Sequence, residues 1–119
     1  MNHTPTPAKT SLLELFQQSA KPLLGDGAMG TQLNARGINF GQCFDALNLT
    51  SPALLADIHR AYIDAGAQII QSNTFGANRY KLGLHRLEGK VAEINRAGVE
   101  LARRAALASF KEVWIAGDV

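Results

Sequence analysis

The sequence predicts an α/β fold in which parallel strands alternate with helices packed outside them. Three observations carry this. Stretches at 22–24, 68–75 and 112–119 have the length and apolar start of strands. Helical periodicity fills 51–65 and 88–109 between them. A glycine-rich turn, "GDGAMG" (25–30), directly follows the first strand. Strand, helix, strand, helix, strand is the order of parallel neighbours joined by crossovers.

Residues 1–10, "MNHTPTPAKT", are polar and Pro/Thr-rich and read as a disordered lead-in. Ser11, with Glu14 three residues on, has the pattern of a capping box and predicts a helix over 11–19. Pro22 starts the first strand. One or two helical turns over 31–36 end at Gly37, and 37–50 reads as a long irregular connection. Ser51 suits an N-cap and Pro52 the first helical position. Leu54, Leu55, Ile58, Ala61, Tyr62 and Ala65 then share a face, and Gly66 suits the stop. The second strand turns polar at its far end, and 76–89 holds a short helix or turn. In the long helix, Val91, Ile94, Gly98, Leu101, Ala105 and Ala108 form an apolar stripe. The third strand has no helix after it, an uncovered edge. Residues 11–119 are therefore expected to be the front of a larger domain.

The chain is 46% hydrophobic and 18% charged, ordinary for a soluble protein. A formal charge of +2 gives no electrostatic case for nucleic acid or a membrane surface. No apolar run approaches the ~18 residues of a spanning helix, and neither a secretory signal nor a transit peptide fits the N-terminus. The single cysteine, Cys43, excludes an internal disulfide and fits a reducing cytoplasm.

Gly25, Gly27 and Gly30 spell the G-x-G-x-x-G of a dinucleotide turn. That loop needs a preceding strand, an immediate long helix, and a second strand within ~30 residues. Only the first condition holds. Asp26 inside the turn would also repel a pyrophosphate. Two other readings stand. Backbone N–H groups of the turn could form an anion-binding nest beside the Asp26 carboxylate, holding the two ends of a zwitterion. Alternatively, the glycines serve geometry alone and Asp26 caps the next helix. Ligand sites in parallel α/β folds lie at the C-terminal ends of strands. Polar groups end all three strands here: Asp26, then Ser72, Asn73 and Thr74, then Asp118.

The ordered blocks "LLGDGAMGT", "ALNLTSP", "IHRAYIDAGAQIIQSNTFGAN" and "AEINRAGVELAR" lie between Leu23 and Val119. Together they resemble the N-terminal part of the homocysteine S-methyltransferase domain family. "CFDALNLTSP" is most similar to bifunctional members joined to a methylenetetrahydrofolate reductase, and is also similar to the front domain of cobalamin-dependent methionine synthases. The resemblance implies a (β/α)8 TIM barrel of which this chain supplies the first three strands and the helices between them.

It also implies methyl transfer to the sulfur of homocysteine, giving methionine. A free thiol with a pKa near ~8.5 is mostly protonated at neutral pH. In the family a zinc ion binds the sulfur and displaces the proton. Three cysteines from later strands hold that zinc, and homocysteine takes the open fourth position. None of those cysteines is in this sequence, so neither a catalytic nor a metal-binding residue is expected here. Residue by residue, Asp26 would pair with the substrate ammonium. The N–H groups of Gly27, Ala28 and Met29 would meet its carboxylate. Ser72, Asn73 and Thr74 match the segment lining the same pocket. Asp118 stands where the family often has other residues and is not carried over. For the full protein the resemblance implies a methyl donor such as folate or cobalamin, and allows a C-terminal reductase domain. The alternatives are a non-catalytic module of the same fold and a nucleotide-binding domain.

Other chemistry-bearing residues have plainer readings. Cys43 is expected to be a half-buried loop thiol, because one thiolate cannot build a three-cysteine site. His59 reads as a helix-surface histidine, and neither it nor His85 has a partner at metal-ligand spacing. Arg96, Arg103, Arg104 and Lys111 read as a solvated helix side, and Trp114 as core.

Overall fold

The computed structural model describes residues 11–119, so the predicted lead-in over 1–10 lies outside the described residues. Strands β1 (Ile69–Gln71) and β2 (Trp114–Ala116) are parallel, in the register Ile69↔Trp114, Ile70↔Ile115 and Gln71↔Ala116. The predicted first strand contracts to one parallel bridge, Gly25↔Ile69. Its rungs are nonetheless those of a strand. Leu24 O accepts from Gln68 N (2.7 Å) and Ile69 N (3.2 Å), and Asp26 N donates to Ile69 O (2.9 Å). Three chain segments thus run side by side with β1 in the middle, as the alternating order requires.

Helix α1 (Leu12–Gln18) starts where Ser11 Oγ accepts the Glu14 N–H at 3.1 Å, the first half of the predicted capping box. Helix α2 (Gly30–Ala35) has six residues and is followed by Gly37 at φ +96°. Such a helix, with β1 not beginning until Ile69, lacks the βαβ spacing of a dinucleotide fold.

The stretch 37–50 is not wholly irregular. It contains the short helix α3 (Leu47–Thr50), with Leu47 and Asn48 buried. Four residues carry too little periodicity to be seen, and tertiary burial forms the turn. Helix α4 (Pro52–Asp64) begins at Pro52 as predicted, but Ser51 makes no side-chain cap. Its backbone oxygen takes the Leu54 N–H instead (3.1 Å). The buried face of α4 is also rotated from the predicted one. Leu55, Ile58, His59 and Ile63 are buried, Tyr62 is half-buried, and Ala61 and Ala65 are exposed.

Asn78 Oδ1 caps α5 (Arg79–Gly83), accepting from Tyr80 N and Lys81 N. A 3-10 turn over Glu88–Lys90 leads into α6 (Val91–Ala108). Helix α6 buries Ile94, Gly98, Leu101, Ala102 and Ala106, while Ala108 is exposed. Gly98 is a close-approach glycine. A Cβ there would lie 2.7 Å from Asn48 Nδ2 and 2.8 Å from Thr74 Cγ2.

The core packs outside the strands. Ile63 and Ala67 meet Ile70, Val113, Ala102 and Ala106 on one side. Leu33, Leu47, Leu55, Ile58 and Leu101 form a second cluster under the glycine turn. Trp114, expected in the core, is half-buried. Among the described residues no helix is long and apolar enough to cross a membrane.

Candidate functional site

A cavity of about 640 Å³ opens at the C-terminal ends of the three strand segments. All seven residues expected to bind substrate line it: Asp26, Gly27, Ala28 and Met29 from the turn, and Ser72, Asn73 and Thr74 from the end of β1. They do so in two different ways.

The turn presents open donors. Among the described residues, the N–H groups of Gly27, Ala28 and Met29 donate to nothing. The turn is held from behind, where Tyr62 Oη donates to Ala28 O at 2.7 Å. Gly27 makes room for that ring, because a Cβ there would sit 2.9 Å from Tyr62 Oη. Asp26 does not cap α2, which has no side-chain cap. Asp26 Oδ2 accepts the Gln71 N–H at 3.0 Å instead, where the next ladder rung would fall. The carboxylate thereby ends the strand pairing and borders the cavity. Burial pushes its pKa up, the Gln71 N–H draws it down, and the Asp118 charge adds to the rise.

At the end of β1 the side chains are already occupied. Asn73 Nδ2 donates to Phe44 O (3.0 Å) and Asn48 Oδ1 (3.0 Å). Asn48 Nδ2 returns bonds to Asn73 O (2.8 Å) and Ile94 O (3.1 Å). This buried amide pair ties α3, β1 and α6 together. Ser72 and Thr74 bond each other at 2.8 Å, and both reach the Asp118 backbone. Ser72 and Thr74 spend their hydroxyls on the wall and Asn73 spends its amide N–H groups, so that of these three side chains Asn73 Oδ1 alone accepts no bond among the described residues.

The cavity also gathers residues outside the expected binding set. Asp45 lines it, with Oδ1 accepting the Gly76 N–H at 3.2 Å. Burial raises its pKa against the pull of Gly76 N–H and Lys81. Asp118 lines the cavity too, as do Cys43, Lys81 and His85. Lys81 Nζ lies 4.6 Å from the centre of the exposed Phe75 ring. Cys43 is a half-buried free thiol, as expected. Among the described residues no group of three or more His, Cys, Asp or Glu side chains could hold a metal ion. The signal for Asp45 and Asn48 was present in "CFDALNLTSP", but their partners lie 25 to 46 residues away.

His59 is the clearest correction. It is fully buried, and neither ring nitrogen has a hydrogen-bond partner among the described residues. It lies on the inward face of α4 beside Ile58, so desolvation lowers its pKa from 6.5 to about 4. The expected surface position came from placing the helix face one step off.

The homocysteine S-methyltransferase family profile matches residues 23–119. The methionine synthases of Mycobacterium tuberculosis and Mycobacterium leprae are 38% and 39% identical over 103 residues, covering 82% of this chain and 8% of each relative. Among solved structures, the metallated form of the homocysteine methyltransferase MmuM from Escherichia coli superposes with a TM-score of 0.77 at 30% identity. It covers 89% of this chain and 40% of that one. The oxidized form gives 0.78 at 29% identity, over 90% and 40%. The chain thus spans 8% of the length of these methionine synthases and 40% of MmuM. With the profile running from the first strand segment through Val119, this chain belongs to the homocysteine S-methyltransferase family.

Proposed function

We propose that this chain grips the amino-acid end of homocysteine within a homocysteine S-methyltransferase built on a (β/α)8 barrel. One observation supports it above the rest. A carboxylate, Asp26, and N–H groups of Gly27, Ala28 and Met29 that have no acceptor among the described residues line the same cavity in one four-residue stretch. A negative group beside a row of N–H donors matches a zwitterion. The α-carboxylate accepts from the turn, and the α-ammonium meets Asp26. The ammonium offsets the burial that raises the Asp26 pKa, so bound substrate favours the ionised acid. Ser72, Asn73 and Thr74 act through the wall they fix.

Zinc, when bound in such an enzyme, supplies the thiolate. The residues described here do not fit a zinc site: Cys43 is the single thiol, and no ligand cluster surrounds it. Their part is to bind and orient the substrate. Zinc ligands elsewhere, a folate or cobalamin methyl donor, a C-terminal methylenetetrahydrofolate reductase domain and a cytoplasmic setting belong to the same proposal for the full protein. The name methionine synthase borne by two relatives supports methionine as the product.

The test uses the native gene product, assayed for zinc, homocysteine binding and methyl transfer. Binding and transfer that both collapse in Asp26→Ala support the proposal. Homocysteine binding with neither zinc nor transfer would identify the non-catalytic module instead. Wild-type protein that does not bind homocysteine refutes the reading.

A further inference from the structure

The family resemblance gives no role to Asp118, which lies two residues beyond β2, yet the structure builds a mount for it. Thr74 Oγ1 donates to Asp118 O at 2.7 Å. Asp118 N donates to Ser72 Oγ at 3.3 Å. The two hydroxyls lie 2.8 Å apart. Each hydroxyl has one proton, so the direction of the ring is fixed. The Thr74 proton goes to Asp118 O, and the Ser72 proton must therefore go to Thr74 Oγ1. Asp118 N–H closes the ring on Ser72. Both hydroxyl residues are buried, 2% and 5% exposed, which shields the bond between them from water, while their bonds to Asp118 are part-buried. The ring extends the β1–β2 pairing past its last ladder bond, Ser72 N to Ala116 O.

The mounted residue borders the cavity that Asp26 borders. Its charge is felt by both Asp26 and Asp45 and raises the pKa of each. Among the described residues no cation forms an ion pair with it, since all three salt bridges lie on outer helix surfaces. Lys81, the lysine of the lining, sits against Phe75 and acts on Asp45. Like charges gathered at one cavity, Asp118 with Asp26 and Asp45, are costly until a cation arrives.

We propose that Asp118 is a second carboxylate for the substrate α-ammonium, presented by the Ser72–Thr74 hydroxyl ring and acting together with Asp26. This rests on the homocysteine reading above and deepens it. Asp118 becomes a specificity residue that rewards a free α-amino group. It contributes nothing to a ligand that has the same thiol and carboxylate but lacks the amine.

The test is calorimetric titration of the native gene product with L-homocysteine and with its des-amino analogue, 4-sulfanylbutanoate. Asp118→Asn keeps the backbone ring and removes the charge. The expected result is about tenfold weaker homocysteine binding with the analogue changed by less than about twofold. Equal losses for both ligands, or no loss for either, would overturn the proposal. Should Asp118→Asn fail to fold, Ser72→Ala decides, because it opens the ring and leaves the carboxylate in place. A loss confined to homocysteine supports the mount, and a uniform loss or none overturns it. Wild-type protein that does not bind homocysteine at all would instead sink the functional reading beneath both.

Discussion

The glycine turn and the end of β1 lie side by side at the rim of one cavity, and both were expected to touch substrate. They use their polar groups in opposite ways. Among the described residues the turn leaves three backbone N–H groups without an acceptor, and it holds Asp26 half-buried. The end of β1 buries Ser72, Asn73 and Thr74 and bonds every one of those side chains to neighbouring chain. A polar residue at a strand end is therefore not in itself a ligand group. It binds a ligand only where the fold has left its hydrogen-bonding capacity free. Changes in the turn should alter binding with little effect on stability, whereas changes at the end of β1 should cost stability and reach binding only through the Asp118 that Ser72 and Thr74 hold.

The largest effect is expected at Asp26. Asp26→Ala removes the carboxylate beside the turn and leaves Asp118 alone to meet the substrate ammonium, which costs about 2–5 kcal/mol. Homocysteine affinity measured by calorimetry should fall on the order of a hundredfold while the urea midpoint hardly moves. A large drop in the midpoint would erase the contrast between the two regions. Asn48→Ala attacks the other region. It strips a donor from the carbonyls of Asn73 and Ile94 and an acceptor from Asn73 Nδ2. Stability should fall by about 3 kcal/mol in urea unfolding. Unchanged stability would mean that the amide pair does not hold the wall.

His59 gives a similar effect that depends on pH. Its pKa is lower folded, about 4, than unfolded, 6.5, so the unfolded chain binds the proton first. Its contribution is complete above pH 6.5 and is lost as pH falls toward 4, roughly 3 kcal/mol in all. Asp26 and Asp45 work in the opposite sense, because raised carboxyl pKa values favour the folded state in acid. Urea midpoints across this window should therefore fall in the wild type and stay flatter in His59→Leu. Parallel curves for the two proteins would contradict the burial of a neutral imidazole. The smallest effect belongs to Thr74→Val, which opens the hydroxyl ring but keeps the packed methyl. A loss of about 1 kcal/mol is expected. A binding loss shared equally by homocysteine and 4-sulfanylbutanoate would move Thr74 from the Asp118 mount to direct contact with the ligand.

Periodicity, caps and glycines in the sequence were enough for the parallel α/β order and for α4 and α6. The elements misjudged share one cause. The first strand is a single bridge because Asp26 takes the next rung with its side chain. Helix α3 exists because Asn48 and Leu47 are buried against distant segments. His59 turned inward because the packing of α4 chose a face one step from the most apolar one.

By itself the sequence determined which groups could serve a zwitterion: an acid inside a turn of small residues, at the end of a strand. Covalent order and side-chain size are enough for that. Only the tertiary structure decided which groups stay available. Hydrogen-bond capacity is used up by partners that are far away in sequence and close in space. So Ser72 and Thr74 became a mount, Asn73 became a tie, and Asp118 was brought to the cavity beside Asp26.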